Sequence, residues 1–440
     1  MYIDERLASY LRHSSNFTAA KLSRVRQLRT RWHLLESNPR IGDEHAVDHS
    51  NVNSPGRILH IGKYYPPHVG GMETHLQYLV SYQSSRMAVR VVVANDRAVT
   101  RTEVLDGAKI TRVASYGTVA SQPVCPSLPW KLAGRGDSMV HLHLPNPWAA
   151  KAYLMSGHKG TLIVTHHSDT LGRSHLRKIV DPFMRRVMKR AAAIIVTSEQ
   201  HLKNSEELAG FRDKCHVVPL GIDVEAFKAE RPEEVRSIHA EYGRRLIVAV
   251  GRLVPYKGFE FLLKAMKNID AALLLIGTGP LQKQLETAIT RLGIADKAHL
   301  LGHVEDTVPY YKAAQMLVLP SVSRAESFGL VQVEAMAAGI PVVNTELDSG
   351  VPEVSLDGVT GLTVPPKNSE ALAGAIKILL DNAQTREKYG QAASVRAREE
   401  FSAQRMAEST LRIYQSAPLA SATRVIVKRS VATIRRTADS

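Results

Sequence analysis

The stretch Leu246–Gly258, LIVAVGRLVPYKG, joins an apolar strand to a loop that carries Arg252 and Lys257. A segment with helical patterning follows it. Strand, loop and helix in this order are typical of the opening of a doubly wound α/β domain. The same order occurs earlier, where RILHI (Arg57–Ile61) precedes a loop rich in Gly and Pro that runs through Gly71. The fold class is therefore predicted to be α/β, with two Rossmann-like, doubly wound domains facing a central cleft.

Short apolar runs recur in both halves, separated by loops or by segments of helix length, and this alternation predicts parallel sheets. In the first half the runs are Val89–Val93, Met139–Leu144, Thr161–Thr165 and Ala192–Thr197. In the second half they are Ala271–Ile276, Ala298–Leu301, Met316–Pro320 and Ile340–Val343. We place the domain boundary near Asp223–Gly243. The predicted divisions are an extension at 1–56, domains at 57–235 and 236–395, a closing helix at 396–418 and a tail at 419–440.

Composition limits the class of protein. The formal charge is +15 and the pI about 9.7, which would attract nucleic acid, anionic lipid or phosphorylated small molecules. Two cysteines, Cys125 and Cys215, and no signal-type amino terminus favour a reducing cytosol, and no apolar run is long enough to span a bilayer. Cations crowd the two ends, at Lys21, Arg24, Arg26, Arg29 and Arg31 and again at Arg424, Lys428, Arg429, Arg435 and Arg436.

Two glutamates flank a predicted helix start in AESFGLVQVEAMAAG (Ala325–Gly339). Glu326 lies in the loop before the helix, where unpaired helical N–H groups favour an anion. Glu334 lies one to two turns inside, where it can accept hydrogen bonds from ligand hydroxyls. The alternative is an acid that stabilises the helix dipole, followed by a solvated glutamate.

Two loops at strand ends carry groups suited to phosphate. Arg252 and Lys257 directly follow the first strand of the second domain, where doubly wound sheets bind ligands, and they would neutralise a diphosphate. Gly70 and Gly71 precede the first helix of the first domain and would let backbone approach a phosphate closely. The alternatives are two solvated cations and an ordinary turn. The glycine spacing differs from the dinucleotide fingerprint, which argues against a nicotinamide or flavin dehydrogenase.

The segment THHSD places His166, His167 and Asp169 at the carboxyl end of a strand, where they can contact a ligand across the cleft. A structural histidine is the alternative. A zinc site is disfavoured because strand alternation leaves no carboxylate or Cys ligand to join the histidines; its ligands would be His141, His143, His166 and His167.

Together these motifs resemble the family-four retaining glycosyltransferases of GT-B fold, a group that contains bacterial mannosyl-, glucosyl- and N-acetylglucosaminyltransferases. The resemblance covers roughly residues 57 to 415. Its motifs, in chain order, are the GG loop with Glu73, HLHLPNP from His141, THHSD, PLGID, GRLVPYKG, LLLIGTGP, ESFGLVQVEAMAAG and EFSAQRMAESTLRIY. In the last of these, Phe401 and Tyr414 resemble the family's closing helix, which returns to the first domain.

The resemblance implies roles for single residues. Arg252 and Lys257 would hold the donor diphosphate, with Glu326 on hydroxyls of the transferred sugar and Glu334 on the nucleotide ribose. His167, with Asp169 two positions later, resembles the family's sugar-contacting histidine. The resemblance implies that the backbone of Phe328, Gly329, Leu330 and Val331 faces the sugar and phosphate. It places Gly70 and Gly71 at the diphosphate, and Gly277, Gly279 and Val304 on the side of the nucleotide base.

The resemblance further implies a metal-independent enzyme without a cofactor, which moves a sugar from GDP-mannose or a UDP-sugar to a glycan or lipid-linked acceptor in cell-surface polysaccharide or glycolipid synthesis. Nucleic acid is not an expected partner. We expect a cytoplasmic protein that the basic termini hold at an anionic membrane surface, or else a solvated tail. Alternatives are a GT-B epimerase or phosphorylase, and an inactive membrane- or nucleic-acid-binding relative.

Overall fold

The structure is a computed structural model of the chain, and it describes residues 57–68, 70–119, 122–133, 136–170 and 174–417. The extension at 1–56 and the tail at 419–440 lie outside the described residues, as do the cations that crowd both ends.

The first half of the chain forms an eight-stranded sheet in the order β10-β9-β8-β7-β1-β2-β4-β3, with every neighbouring pair parallel except β3 and β4. The chain runs outward from β1 to β2 and β4, then returns to the other side of β1 with β7. Ligands of such sheets lie where the strand order reverses, which here is the carboxyl end of β1 and β7. The strands are β1 (Arg57–Ile61), β2 (Val89–Ala94), β3 (Arg101–Leu105), β4 (Ala108–Val113), β7 (Asp137–Leu144), β8 (Thr161–His166), β9 (Ala193–Val196) and β10 (Cys215–Val217). A separate antiparallel pair contains β5 (Thr118–Val119) and β6 (Gln122–Pro123).

Helices cover both faces of this sheet, as its buried central strands require. They are α1 (Gly71–Ser84), α2 (Leu128–Leu132), α3 (Pro147–Ser156), α4 (Ser174–Arg190) and α5 (Glu199–Asn204), with a 3-10 turn at Arg212–Lys214. Local chemistry starts and stops them. The Asn146 side chain accepts a hydrogen bond from the backbone N–H of Ala149 to cap α3, and Gly157, in the left-handed conformation, ends that helix.

The second half repeats the design with six parallel strands in the order β13-β12-β11-β14-β15-β16, and the strand order reverses between β11 and β14. The strands are β11 (Leu246–Val250), β12 (Ala272–Ile276), β13 (Ala298–Gly302), β14 (Met316–Val318), β15 (Val342–Thr345) and β16 (Gly361–Val364). The helices are α6 (Pro232–Tyr242), α7 (Phe259–Met266), α8 (Gln282–Leu292), α9 (Val308–Ala313), α10 (Leu330–Ala337), α11 (Val351–Val354), α12 (Ser369–Asp381), α13 (Ala383–Glu400) and α14 (Ala403–Ser416), with 3-10 turns at Val224–Lys228 and Pro255–Lys257.

Two doubly wound sheets confirm the predicted fold class, with one departure from the all-parallel expectation. Strand β3 is antiparallel to β4, and the two are joined through Asp106 and Gly107, which have φ angles of 52° and 72°. An Asp-Gly pair with positive φ at both positions makes the tight turn that suits a hairpin. The Asp-Gly pair was the local signal for this hairpin.

The chain passes between the halves twice at one place. The backbone N–H of Ile222 donates to the Phe401 carbonyl (2.9 Å), and the Ala403 N–H donates to the Ile222 carbonyl (2.7 Å). Beyond this crossing, α14 returns to the first half and packs on α1, where the Tyr82 hydroxyl donates to the Glu408 carboxylate (2.9 Å). The end of the chain's second half is thereby attached to the first.

Candidate functional site

A buried ion pair lies where the strand order of the second sheet reverses. The Lys257 Nζ is 2.6 Å from the Glu326 Oε2, and both side chains are about nine-tenths buried. Lys257 ends the turn that follows β11, and Glu326 lies in the loop that follows β14. The Ser321 hydroxyl donates a second hydrogen bond to the same carboxylate oxygen (3.0 Å). The structure thus brings together two residues that the sequence placed in separate motifs.

Two glycines shape the loop after β11, and the second of them lets this loop approach the loop after β14. Gly251 has a φ of 152°, and a Cβ there would lie 3.1 Å from the Cε and Nζ of Lys257. Gly258 has a φ of 66°, and a Cβ there would overlap the Pro320 carbonyl of the other loop. Both positions therefore require glycine, for conformation and for space.

Arg252 is exposed, and its charge acts on a cation of the first half. Burial lowers the pKa of the Lys63 ammonium, the carboxylate of Glu73 opposes this shift, and the nearby Arg252 charge adds to it. Lys63 is a candidate that the sequence analysis missed. A signal was available, because Gly62-Lys63 follows β1 just as Gly251-Arg252 follows β11.

The start of α1 lies beside these cations. A Cβ on Gly70 would overlap the carboxylate of Glu73, whereas a Cβ on Gly71 would meet no atom within 4 Å. Burial raises the pKa of Glu73, against the opposing effects of a backbone hydrogen bond and Lys63. The first turn of α1 thus offers open backbone at Gly71, next to Lys63.

Helix α10 begins after a glycine with positive φ and carries a carboxylate that a hydrogen bond orients. Gly329 caps the helix with a φ of 71°, and a Cβ there would come within 2.7 Å of Leu319. The Tyr311 hydroxyl donates to the Glu334 carboxylate (2.7 Å). Burial raises the pKa of Glu334, while this hydrogen bond and the Lys257 charge oppose the shift. Glu334 is therefore oriented by α9 and lies within electrostatic range of the ion pair.

The apolar residues predicted around α10 lie mainly in the core. Phe328 is buried with its ring edge-on to Phe401, at 5.8 Å between centroids. Leu330, Val331 and Val304 are partly buried and pack against the same core cluster. The Phe328 side chain is therefore committed to the core, which leaves its backbone for any contact with a ligand.

Gly277 and Gly279 have a packing role. A Cβ on Gly277 would overlap the Gly251 carbonyl, and one on Gly279 would lie 2.7 Å from the Leu253 backbone N. These glycines let the loop after β12 press against the loop after β11. They support the segment that carries Arg252 and Lys257.

His167 belongs to a cluster of buried histidines in the first half, at the carboxyl ends of β1, β7 and β8. Its Nε2 lies 3.2 Å from the His143 Nδ1, and the His75 ring stands edge-on to it at 4.9 Å. The other members are His60 and His141. Burial holds the pKa of every one of these imidazoles below the usual range, so at neutral pH the cluster is uncharged.

Asp169 lies in a different polar group. Its carboxylate accepts a hydrogen bond from the Ser205 hydroxyl. His166, on the opposite face of β8 from His167, contacts the His201 ring nitrogen (2.9 Å) and the Glu207 carboxylate (3.1 Å). The structure therefore does not bring Asp169 to the His167 cluster.

The four histidines of the zinc alternative are not brought together, because His166 faces away from the others. Among the described residues, three other groups have ligand atoms within 4.8 Å of one another: His60, His141 and His143; His75, His143 and His167; and His166, Asp169 and His201. Neutral imidazoles are suitable ligands for zinc.

In the described part of the chain, no helix has the length and apolar character needed to cross a membrane.

Two family descriptions match the chain. "Glycosyltransferase Family 4" matches residues 69–226, and "Glycosyl transferases group 1" matches residues 230–396. The D-rhamnosyltransferase WbpZ of Pseudomonas aeruginosa is 30% identical over 62% of this chain and 72% of its own length. The O-antigen chain mannosyltransferase C of Escherichia coli is 25% identical over 81% of this chain and 98% of its own.

Solved structures show the same architecture. Sucrose-phosphate synthase of Thermosynechococcus elongatus superposes with a TM-score of 0.70 at 22% identity, covering 82% of this chain and 98% of its own. Anabaena HepE, solved with UDP and glucose, superposes with a TM-score of 0.68 at 19% identity, covering 82% and 100%. At these identities the likeness shows the fold alone, which is GT-B.

Proposed function

Because the chain belongs to glycosyltransferase family 4, we propose that it is a retaining hexosyltransferase that takes its sugar from a nucleotide-diphosphate donor. The acceptor in this proposal is a glycan or lipid-linked glycan of the cell surface. The names of the O-antigen mannosyltransferase and of the phosphatidyl-myo-inositol mannosyltransferase of Mycobacterium leprae, 28% identical over 79% of this chain, support that class of acceptor.

The observation that best supports this location of the donor site is the Lys257–Glu326 pair at the carboxyl ends of β11 and β14. The diphosphate would lie against Lys257 and Arg252 and face the open backbone of Gly71. A buried ammonium is a strong charge stabiliser because little water screens it. Glu326 holds that ammonium in place and keeps its other oxygen for a sugar hydroxyl.

Glu334 fits the nucleoside side of the donor. The Tyr311 hydroxyl occupies its Oε2, which leaves Oε1 to accept hydrogen bonds from ribose hydroxyls. A carboxylate oriented by a buried tyrosine loses little side-chain freedom when the donor binds. Glu326 and Glu334 thus divide the donor between them, one at the sugar and one at the nucleoside.

Retention follows from attack on the face from which the leaving group departs. The acceptor oxygen forms the new bond to the anomeric carbon as the bond to the phosphate oxygen breaks. That phosphate oxygen takes the acceptor's proton. Lys257 and Arg252 stabilise the negative charge that grows on the diphosphate, so their effect is greatest in the transition state. This sequence of steps uses only charged side chains of the protein and no metal ion.

In this proposal His167 contacts the donor from the first half. Because burial lowers its pKa, the ring is neutral at physiological pH and can exchange a hydrogen bond with a sugar hydroxyl. A neutral ring here adds no charge to compete with Lys257 and Arg252 for the diphosphate.

GDP-mannose is the first donor to test, and UDP-sugars are the second. Two mannosyltransferases of Corynebacterium glutamicum and Mycolicibacterium smegmatis that are described as GDP-mannose-dependent are each 25% identical to this chain. The HepE structures contain UDP or UDP-glucose.

The basic ends complete the proposal. Anionic lipid at the inner face of the cytoplasmic membrane would attract them, at about 1 kcal/mol for each cation near the surface. Sedimentation with phosphatidylglycerol vesicles tests this, using the full chain and a chain without residues 1–50 and 420–440. Equal pelleting of both would contradict the proposal.

A thermal-shift panel of GDP-, UDP- and ADP-sugars tests the donor site. A ligand at 100 times its dissociation constant stabilises the fold by about 2.7 kcal/mol. We expect one nucleotide class to stabilise the wild type and Lys264→Ala alike, because Lys264 is an exposed lysine on α7 outside the loop. The shift should fall sharply in Lys257→Ala.

Turnover then tests the reaction. With the stabilising donor and a polyprenyl-linked glycan, NMR of the product should show the anomeric configuration of the donor. An inverted product would disprove retention. No stabilisation by any nucleotide sugar would disprove the donor site.

A further inference from the structure

A continuous chain of hydrogen bonds begins at His167 and runs into the interior of the first half. The His167 Nε2 meets the His143 Nδ1 at 3.2 Å, and the His143 Nε2 meets the His60 Nδ1 at 3.2 Å. The His60 Nε2 then meets the Gln83 Oε1 at 2.7 Å. Strands β1 and β7 place His60 and His143 on one face of the sheet, and α1 supplies Gln83.

The series of hydrogen bonds continues beyond Gln83 to α14, the helix that returns to the first half. The Gln83 Nε2 donates to the Tyr414 hydroxyl (3.3 Å), which meets the His141 Nδ1 at 2.6 Å. The His141 Nε2 meets the Thr165 hydroxyl at 2.6 Å. We call the seven side chains from His167 to Thr165 the relay. Each is at most 5% exposed, so water does not interrupt its hydrogen bonds.

Each neutral imidazole offers one N–H and one lone pair, so one fixed group sets the direction of the relay. The Gln83 Oε1 can only accept, and His60 must therefore carry its proton on Nε2. The His60 Nδ1 then accepts, so His143 donates through Nε2. By the same step, His167 carries its proton on Nε2 and keeps Nδ1 as a lone pair.

Reversal of the Gln83 amide reverses every one of these assignments. An amide nitrogen facing His60 would require His60, His143 and His167 to carry their protons on Nδ1. The orientation of one amide thus selects between two tautomers of His167. Tyr414, on α14, contacts the other end of that amide: its hydroxyl accepts from the Gln83 Nε2, which leaves the hydroxyl proton for the His141 Nδ1.

We propose that Gln83 and Tyr414 are positioning residues that fix the tautomer of His167, and so decide whether its ring donates to or accepts from the sugar donor. This inference rests on the proposed role of His167 at the sugar. It makes the closing helix part of the donor site, because Tyr414 reaches the site through four hydrogen bonds.

A metal ion is the competing occupant of the cluster. The His75 Nε2 is buried and has no hydrogen-bond partner among the described residues, and its ring lies against those of His143 and His167. A cation bound by these three rings would replace the bond between His143 and His167. A bound ion and the relay are therefore mutually exclusive.

The test compares Tyr414→Phe and Gln83→Met with Tyr82→Phe. The control removes a hydroxyl from the same contact between α1 and α14, where Tyr82 donates to Glu408, but lies outside the relay. We expect kcat/KM for the donor to fall about fivefold in both test variants, as for a lost hydrogen bond to the sugar. Tyr82→Phe should keep the wild-type kcat/KM. Combined with His167→Ala, Tyr414→Phe should cost nothing further, because it acts through that ring.

Two readouts do not depend on turnover. Nitrogen-15 shifts of labelled histidine should show one tautomer for His167 in the wild type and a mixture in Tyr414→Phe. An unchanged single tautomer in that variant would overturn the proposal, even if the enzyme used no donor that we supplied. About one equivalent of zinc in the purified wild type, lost in His75→Gln, would also overturn it.

Discussion

The two sides of the proposed donor site use opposite electrostatics. On the second half, Lys257, Glu326 and Arg252 are charged groups held by loops between parallel strands. On the first half, five buried histidines are held neutral by burial, and the cation Lys63 interacts instead with Glu73 and Arg252. The charged side is suited to a diphosphate, whose charge grows during reaction. The neutral side is suited to a sugar, which offers only hydroxyls.

This difference explains how each side is kept intact. A buried charge needs its partner, because an unpaired one costs several kcal/mol. A neutral histidine needs only hydrogen bonds, but it needs all of them in a consistent direction. Removal of one residue should therefore affect the two sides in different ways.

The largest expected effect is on the charged side. Lys257→Ala and Arg252→Ala should each lower kcat by about a hundredfold or more, because each removes a group that stabilises the leaving diphosphate. Lys257→Ala should also lower the melting temperature, since it leaves the buried Glu326 without its cation, whereas exposed Arg252 should not. Steady-state kinetics and calorimetry measure the two. An unchanged kcat in folded Lys257→Ala would contradict the assignment of Lys257 to the diphosphate. Lys264→Ala is the control and should keep the wild-type kcat.

The next largest expected effect is a difference between binding of the intact sugar donor and binding of the free nucleotide. Glu326→Ala should weaken binding of the intact sugar donor about tenfold, because it removes a charged hydrogen-bond acceptor. Binding of the free nucleoside diphosphate should change little, since Lys257 remains. Glu334→Ala, inside α10, should weaken both ligands. Isothermal titration of the four combinations tests this, and equal losses in Glu326→Ala would contradict its place at the sugar.

The buried neutral histidines should make the free energy of unfolding depend on pH. The pKa of His60 is lowered from 6.5 to about 4, and that of His75 to about 3. Above pH 6.5 these rings are neutral in both folded and unfolded chains. As the pH falls below 6.5, only the unfolded chain takes up the protons, so stability is lost progressively towards the folded values.

Each such histidine contributes a slope of about 1.4 kcal/mol per pH unit. His75→Gln should therefore reduce the dependence of unfolding free energy on pH by about that amount between pH 6 and 5. His303→Gln, the same substitution at an exposed histidine outside the cluster, is the comparison variant. Urea titrations at the two pH values measure it. A wild-type slope in His75→Gln would show that this ring is not held neutral.

The smallest effect concerns the orientation of Glu334. Tyr311→Phe should raise the KM for the donor about threefold, as for one lost hydrogen bond, and leave kcat within about twofold. Tyr310→Phe is the neighbouring control, because Tyr310 packs against the core. If both variants gave the same KM, Tyr311 would not orient the carboxylate that we propose for the ribose.

The charged side was more predictable from sequence than the neutral side. Lys257 and Glu326 each lie in a loop whose strand and helix are evident from local pattern, although their 2.6 Å pairing was not. The histidine cluster was largely missed. His60 and His75 carry no local motif, and they meet His141, His143 and His167 only through the register of β1 with β7 and the packing of α1.

The sequence by itself determined the two doubly wound halves, the loops that follow their strands and the family, because these depend on residue spacing within short segments. Only the tertiary structure decided that Lys257 pairs with Glu326, that Lys63 stands beside Arg252, and that a relay joins His167 to Tyr414. Such contacts depend on strand order, strand register and helix packing. Those are set by burial of the whole core, which no local pattern records.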